Sequence, residues 1–107
     1  MELREKKCEP CEGGVKPMNK DIVEEYLGKV SREWKAKDDK KIRREVPFEN
    51  FKRGMAFANQ IAVIAEQEGH HPDLCIHYHQ VDVELTTHAI GGLSENDFIM
   101  AAKIDEL

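Results

Sequence analysis

A change of hydrophobic period near the middle of the chain constrains the fold more than any other feature. Five apolar residues recur at alternating steps of four and three, the spacing of one buried helix face: Phe51, Met55, Ala58, Ala62 and Ala65. Ile61 and Ile64 widen this stripe. Farther along, the period becomes two, with apolar residues at Leu74, Ile76 and Tyr78 and again at Val81, Val83 and Leu85. Two strands with one apolar face each, joined near residues 79–80, predict an antiparallel hairpin after a long helix.

The remaining segments complete the predicted order of elements. Asn19 is a suitable N-cap for a first helix whose apolar stripe extends to Val30. Residues 34–36 and 42–48 are extended segments around a polar run that suits a hairpin turn. Ser94 begins a capping-box pattern and a last helix. The order α-β-β-α-β-β-α predicts an α+β fold, a four-stranded antiparallel sheet with helices packed on one face.

Size and charge narrow the class of protein. A chain of 107 residues is expected to form one domain over residues 1–107, in which residues 1–18 are an irregular leader rich in proline and glycine. The formal net charge of −5 argues against direct nucleic-acid binding. No apolar run suggests a membrane span or a secretory signal, so the expected location is the cytoplasm.

Histidines are concentrated in one part of the chain, and imidazole exchanges protons near neutral pH. His70 and His71 lie at the junction between the long helix and the hairpin, while His88 follows the second hairpin strand. If the hairpin folds about residues 79–80, Asp73 should lie opposite residues near 86–88. The three histidines are then expected to meet at one edge of the sheet.

Metal binding is the main alternative for the other histidines. His77 and His79 are two residues apart on a predicted strand, so their rings share a face, and Asp82 and Glu84 follow nearby. Spacing fixes no third ligand, however, and His70 and His71 are adjacent residues whose side chains diverge. We therefore expect no metal, with His77 and His79 facing solvent or a subunit interface.

The three cysteines do not form a familiar framework. Cys8 and Cys11 make half of a zinc-knuckle pattern, and no second pair follows. An odd number of cysteines without an export signal argues against structural disulfides. A site that combines Cys8, Cys11 and Cys75 with a histidine stays open, but reduced cysteines in a loose leader are the simpler interpretation.

An ordered set of motifs runs along nearly the whole chain. Its parts are CEPCEGGV at residues 8–15, EQEGHHPD at residues 66–73, Tyr78, Val81, Thr87-His88, and GLSEND at residues 92–97. In this order the motifs resemble the pterin-4a-carbinolamine dehydratase family. The resemblance implies a four-stranded antiparallel sheet with helices on one side, and a homodimer or homotetramer.

The same resemblance implies a reaction and a set of site residues. Members of the family remove water from a 4a-hydroxytetrahydropterin to give a quinonoid dihydropterin during pterin recycling, without a metal or redox cofactor. Three residues are expected to be catalytic: His70, His71 and His88. His71 is expected to be the main acid and base, while the other two share proton transfer and orient the pterin. Three more are expected to bind or orient the substrate: Glu66, Pro72 and Asp97.

The sequence departs from the family pattern at a few positions. Leu74 stands where tryptophan is frequent, Ile76-His77 replaces an Asn-Val pair, and Asn96 replaces an arginine. These changes concern the pocket wall and subunit contacts and leave the three histidines intact. The alternative function is a non-catalytic module that binds a pterin or another protein, similar to the transcription-coactivator role of some family members.

Overall fold

The computed structural model describes residues 1–10 and 15–107. Three α-helices are formed by Lys20–Leu27 (α1), Phe51–Glu68 (α2) and Glu95–Ile104 (α3). Four strands are formed by Lys35–Lys37 (β1), Lys41–Pro47 (β2), Asp73–Ile76 (β3) and Gln80–Leu85 (β4). The strands make one antiparallel sheet in the order β1-β2-β4-β3, which confirms the predicted α+β architecture.

Local sequence explains where the first elements begin and end. The side chain of Asn19 accepts a hydrogen bond from the backbone N–H of Ile22, as expected for an N-cap. Helix α1 ends at Leu27, with Gly28 as its C-cap, earlier than the apolar stripe predicts, although Val30 still packs against the core. Asp38 and Asp39 both have positive φ, 54° and 55°, as in a type I′ turn, and they begin the three-residue connection 38–40 between β1 and β2.

The buried face of α2 is rotated from the predicted one. Ala58 and Ala65 are buried as expected, but Phe51 and Ala62 are exposed, so their predicted place in the core is wrong. The face toward the sheet consists of Gly54, Phe57, Ala58, Ile61 and Ala65, so Ile61 is buried as expected, whereas Ile64 is half-buried. A Cβ atom at position 54 would lie 3.4 Å from the Val81 side chain, an ordinary van der Waals distance, so this turn of α2 packs directly on the sheet.

The hairpin of β3 and β4 forms as predicted but in another register. Asp73 pairs with Glu84 rather than with residues 86–88, so the ladder ends two residues earlier on β4. Inward side chains of β4 are fully buried, whereas every residue of β3, the edge strand, is exposed. Residues 86–88 consequently lie beyond the ladder, at the end of the sheet where α2 meets β3.

The core lies between one sheet face and the helices. Its largest members include Trp34, Ile42, Phe98 and Met100. The composition of the leader predicts an irregular segment, but Leu3–Glu5 forms a 3₁₀ turn that packs against α3. This turn buries Leu3. None of the described helices combines the length and the apolar character needed to cross a lipid bilayer.

Candidate functional site

The end of α2 positions the first two histidines. Gly69 has φ 65° and ψ 27°, a left-handed conformation that glycine adopts without a Cβ penalty. Its backbone N–H donates to the carbonyl of Ala65 at 2.9 Å and completes the last helical turn. The chain then turns sharply, so His70 and His71 leave the helix at the rim of the sheet.

His70 is held by a buried carboxylate. Its Nε2 lies 2.6 Å from Oδ1 of Asp97, whose side chain has no solvent exposure. The other oxygen of Asp97 accepts hydrogen bonds from the Thr87 hydroxyl at 2.7 Å and from the Ser94 backbone N–H at 3.0 Å. Because a carboxylate only accepts hydrogen bonds, Nε2 of His70 carries a proton, and Nδ1 is the free acceptor of the neutral ring.

His71 has a contrasting environment. Its side chain is 60% exposed, and its Nε2 lies 2.5 Å from Oε2 of Glu66, which is also largely exposed. Both residues come from the last turn of α2 and the junction after it. His71 therefore sits at an open rim, where its ring is able to rotate and reach a bound molecule.

His88 reaches the same place from the other end of the hairpin. It was expected near the end of the second strand, but β4 ends at Leu85, and His88 begins a 3₁₀ turn, His88–Ile90. A bridge between Thr87 and Gly92 fixes this turn. His70, His71 and His88 all line one cleft of about 440 Å³, together with Thr86 and Thr87. The predicted meeting of the three histidines is thus present, although it arises from a different hairpin register.

The leader forms another wall of this cleft, which sequence reasoning missed. Glu9 exchanges two hydrogen bonds with the Asn96 side chain: its N–H donates to Oδ1 at 2.9 Å and its carbonyl accepts from Nδ2 at 2.6 Å. The backbone N–H of Cys8 donates to Glu68 at 2.9 Å. Cys11 lies outside the described residues, so the predicted cysteine pair is placed only at Cys8. In the sequence, only Asn96 stood out among these residues, because it departs from the family pattern, and nothing linked it to the leader.

The three predicted substrate-binding residues occupy different positions. Glu66 and Pro72 line a neighbouring apolar hollow of about 240 Å³ that shares His71 with the cleft. Asp97 lies behind His70 and is fully buried, so its carboxylate meets the cleft only through the His70 ring.

The other two histidines lie away from the cleft. The His79 ring packs against Tyr78, with 4.4 Å between ring centroids. His77 lies on the polar face of the hairpin, where its Nε2 is 2.9 Å from Oδ2 of Asp82. Burial alone would raise the pKa of Asp82, but hydrogen bonds from Gln80 and His77 and the charge of Arg43 hold that pKa below its usual value.

The arrangement around the cleft suits proton exchange with a small molecule. Three imidazoles from two separate chain segments face one space, and two of them have carboxylate partners that orient the ring. Such paired groups can give a proton at one atom of a ligand and take a proton from another.

Comparison with known proteins points to one family. Residues 16–107 match the family described as Pterin 4 alpha carbinolamine dehydratase. A Nitrosomonas eutropha protein, provisionally named a pterin-4-alpha-carbinolamine dehydratase, is 50% identical over 99% of this chain and 93% of its own length. An Alkaliphilus metalliredigens protein with the same provisional name is 44% identical over 97% of this chain and 94% of its own length. The crystal structure of a transcriptional coactivator/pterin dehydratase from Brucella melitensis has a TM-score of 0.79 at 32% identity, covering 84% of this chain and 96% of that one.

Proposed function

Because the chain belongs to the pterin-4a-carbinolamine dehydratase family, we propose that it removes water from a 4a-hydroxytetrahydropterin and releases a quinonoid dihydropterin. The observation that carries the proposal is the meeting of His70, His71 and His88 in one cleft. A scaffold without chemistry has no need for three imidazoles in one cleft.

The reaction is redox-neutral and consists of bond cleavage with two proton movements. The bond between C4a and the hydroxyl oxygen breaks, and a proton added to that oxygen lets it leave as water. A proton is lost from the ring nitrogen system, which leaves the product neutral. Neither step transfers electrons to an outside acceptor, so histidine acid/base catalysis meets the whole requirement.

His71 is the main acid and base in this proposal. Its open position at the rim and its contact with Glu66 suit a group that approaches the substrate and exchanges protons. His88 faces the same cleft from the opposite chain segment and shares the proton transfers. Two imidazoles on different sides of a bound pterin can exchange protons with two different atoms of the pterin ring.

His70 binds and orients the pterin with a fixed ring. Asp97 holds its Nε2, so Nδ1 remains as the acceptor for a ring N–H. Asp97 is a positioning residue here, because its burial keeps it from touching the substrate. Pro72 and the apolar hollow beside it provide a surface for the flat face of the pterin, and Glu66 lies at the edge of that surface.

Dehydration of synthetic 4a-hydroxytetrahydropterin, followed by absorbance in stopped flow, tests the proposal. Wild type should exceed the spontaneous rate, and His71→Ala should lose at least about 10²-fold of that acceleration. His79→Ala is the matched control, since this histidine lies outside the cleft, and it should keep the wild-type rate. A well-folded wild type without any acceleration would reject the dehydratase and favour the pterin- or protein-binding module.

The same proposal includes a homodimer, or a homotetramer built from two dimers. Strand β3 is at the edge of the sheet, and it exposes Ile76 while the adjacent Tyr78 is 71% exposed. An edge strand with apolar side chains is a natural site for pairing with a second copy. Light scattering after size exclusion should give a dimer or larger species for wild type and a smaller one for Ile76→Lys. Ile22→Lys, an equally exposed position on α1, should leave the oligomer unchanged.

A further inference from the structure

The polar face of the β3–β4 hairpin carries a second cluster of reactive side chains, away from the histidine cleft. Sγ of Cys75 lies 3.6 Å from Nε2 of His77, and that nitrogen lies 2.9 Å from Oδ2 of Asp82. All three potential ligand atoms lie within 4.8 Å of one another. We propose that Cys75, His77 and Asp82 bind one divalent ion of the zinc class, a site that is independent of the dehydration chemistry.

The ligand geometry fits a tetrahedral ion. Zinc bonds of about 2.3 Å to sulfur and about 2.0 Å to nitrogen or oxygen place neighbouring ligand atoms roughly 3.5 Å apart. The distance between Cys75 and His77 already has this value, and the distance between His77 and Asp82 must lengthen by only about half an ångström. These two distances therefore need only small side-chain rotations, the third pair of ligand atoms already lies within 4.8 Å, and water completes the fourth position.

The backbone holds the three residues in place. Cys75 and Asp82 are directly opposite each other in the ladder, so their side chains project from the same face of the sheet. His77 follows two residues after Cys75, and its backbone N–H donates to the carbonyl of Gln80 at 2.7 Å, which closes the hairpin. The ligands thus come from both strands and from the turn that joins them.

Charge around the cluster also favours a cation. Asp73 and Glu84 are cross-strand partners on the same face, two ladder positions from Cys75 and Asp82, and Glu84 also pairs with Lys41 at 3.3 Å. Arg43 is the competing cation, with its guanidinium 3.0 Å from Oδ2 of Asp82. The same guanidinium also contacts Glu45 at 3.0 Å and Glu84 at 3.6 Å, so it keeps two partners when an ion takes Asp82.

The donor set selects the kind of metal. A thiolate and an imidazole prefer zinc-class ions, whereas magnesium and calcium prefer oxygen ligands alone. This proposal departs from the expectation of no metal, and it differs from the alternative pair of His77 and His79, since the His79 ring packs against Tyr78 and is not part of the cluster. Cys75 takes its place. By joining both strands near the turn, the ion would stabilise the edge strand β3.

Cobalt(II) titration of the reduced, metal-stripped full chain tests the site, since cobalt bound to thiolate gives a charge-transfer absorption band. The titration is made in a Cys8→Ser/Cys11→Ser background, so that Cys75 is the remaining thiol. We expect saturation near one cobalt per chain and loss of the band on addition of zinc. Cys75→Ser should abolish the band. His77→Ala should weaken cobalt binding at least about tenfold, since replacing residues that only support a metal ligand already lowers affinity by that factor. His79→Ala should bind as the background does.

Circular dichroism of each variant excludes unfolding as the cause of a loss. Absence of the band in the folded background protein would overturn the proposal, and so would its persistence after Cys75→Ser. The dehydration rate should be the same for Cys75→Ser and wild type, because Cys75 is outside the cleft. The two proposals can therefore fail separately.

Discussion

Nε2 of His70 lies 2.6 Å from Oδ1 of Asp97, a carboxylate with no exposure to solvent. This contact joins the N-terminal turn of α3 to the cleft. The second oxygen of Asp97 closes the capping box with Ser94 and accepts from Thr87, so one side chain both begins a helix and orients an imidazole. Stability and ring orientation are therefore coupled at Asp97.

Asp97→Asn should change both the orientation of the His70 imidazole and the stability of α3. The amide oxygen can still accept from Ser94, but an amide N–H facing His70 forces the ring to accept at Nε2 and to carry its proton on Nδ1. We expect kcat for pterin dehydration to fall by about 10²-fold with KM changed much less, and stability to fall by about 1–3 kcal/mol. Nitrogen-15 NMR of the imidazole should report the exchanged tautomer.

Ser94→Ala is the control for that experiment. It removes the serine side chain from the capping box and should cost about 1 kcal/mol of stability, yet it leaves the contact between His70 and Asp97 in place. Its kcat should stay near the wild-type value. Equal losses of kcat in both variants would show that helix stability, rather than ring orientation, controls the rate.

Sequence periodicity predicted the architecture because it reports burial directly. Alternation over residues 81–85 identified β4, whose inward side chains are fully buried, and the pattern at Ser94 identified the start of α3. The rotation of α2 was not predictable in this way. Phe51 and Ala62 fit the helical period equally well, and the packing of α2 on the sheet, which buries Gly54, Phe57 and Ile61, decides between the two faces.

The site was predictable in part for a similar reason. The sequence located His70, His71 and His88 near one sheet edge, and the structure brings them to one cleft. Hairpin register depends on the turn, which no residue pattern fixed, so the predicted partners of Asp73 lie two to four residues beyond its actual partner, Glu84. Contacts of the leader with Asn96 join residues 87 positions apart and leave no periodic signal.

Acid should reveal the contribution of Asp82 to stability. Its pKa in the folded state is below the ordinary value of 3.8, so its ionised form stabilises the fold. This stabilisation is fully present above about pH 5, well above the unfolded-state pKa, and is lost as pH falls through the folded-state pKa. The difference in unfolding free energy between wild type and Asp82→Asn should therefore shrink from about pH 5 to about pH 2.5. Urea denaturation with a chelator present measures it without any contribution from metal. A difference that grows toward acid would contradict the lowered pKa.

Gly69 should tolerate asparagine better than alanine. Its φ of 65° strains any residue with a Cβ, whereas the space around it is open, so the cost is conformational and not steric. Gly69→Ala should lower stability by about 1 kcal/mol, and Gly69→Asn by less, since asparagine adopts the left-handed conformation more readily. Thermal unfolding compares the two variants. Equal losses would mean that side-chain bulk, rather than backbone conformation, is what the site excludes.

Asn96→Ala should open the leader wall of the cleft without touching the histidines. The substitution removes both side-chain hydrogen bonds to Glu9, one donated and one accepted. If the loss of these bonds costs about 1 kcal/mol of the free energy that holds the leader against the cleft, substrate affinity should fall roughly fivefold. We expect KM for the pterin to rise by about this factor while kcat stays within about twofold, because proton transfer does not involve the leader. Amide hydrogen exchange should become faster at Cys8 and Glu9 but stay unchanged at Phe98, in the core of α3. A fall in kcat with unchanged KM would instead assign Asn96 to the chemical step, and the leader would then be more than a wall.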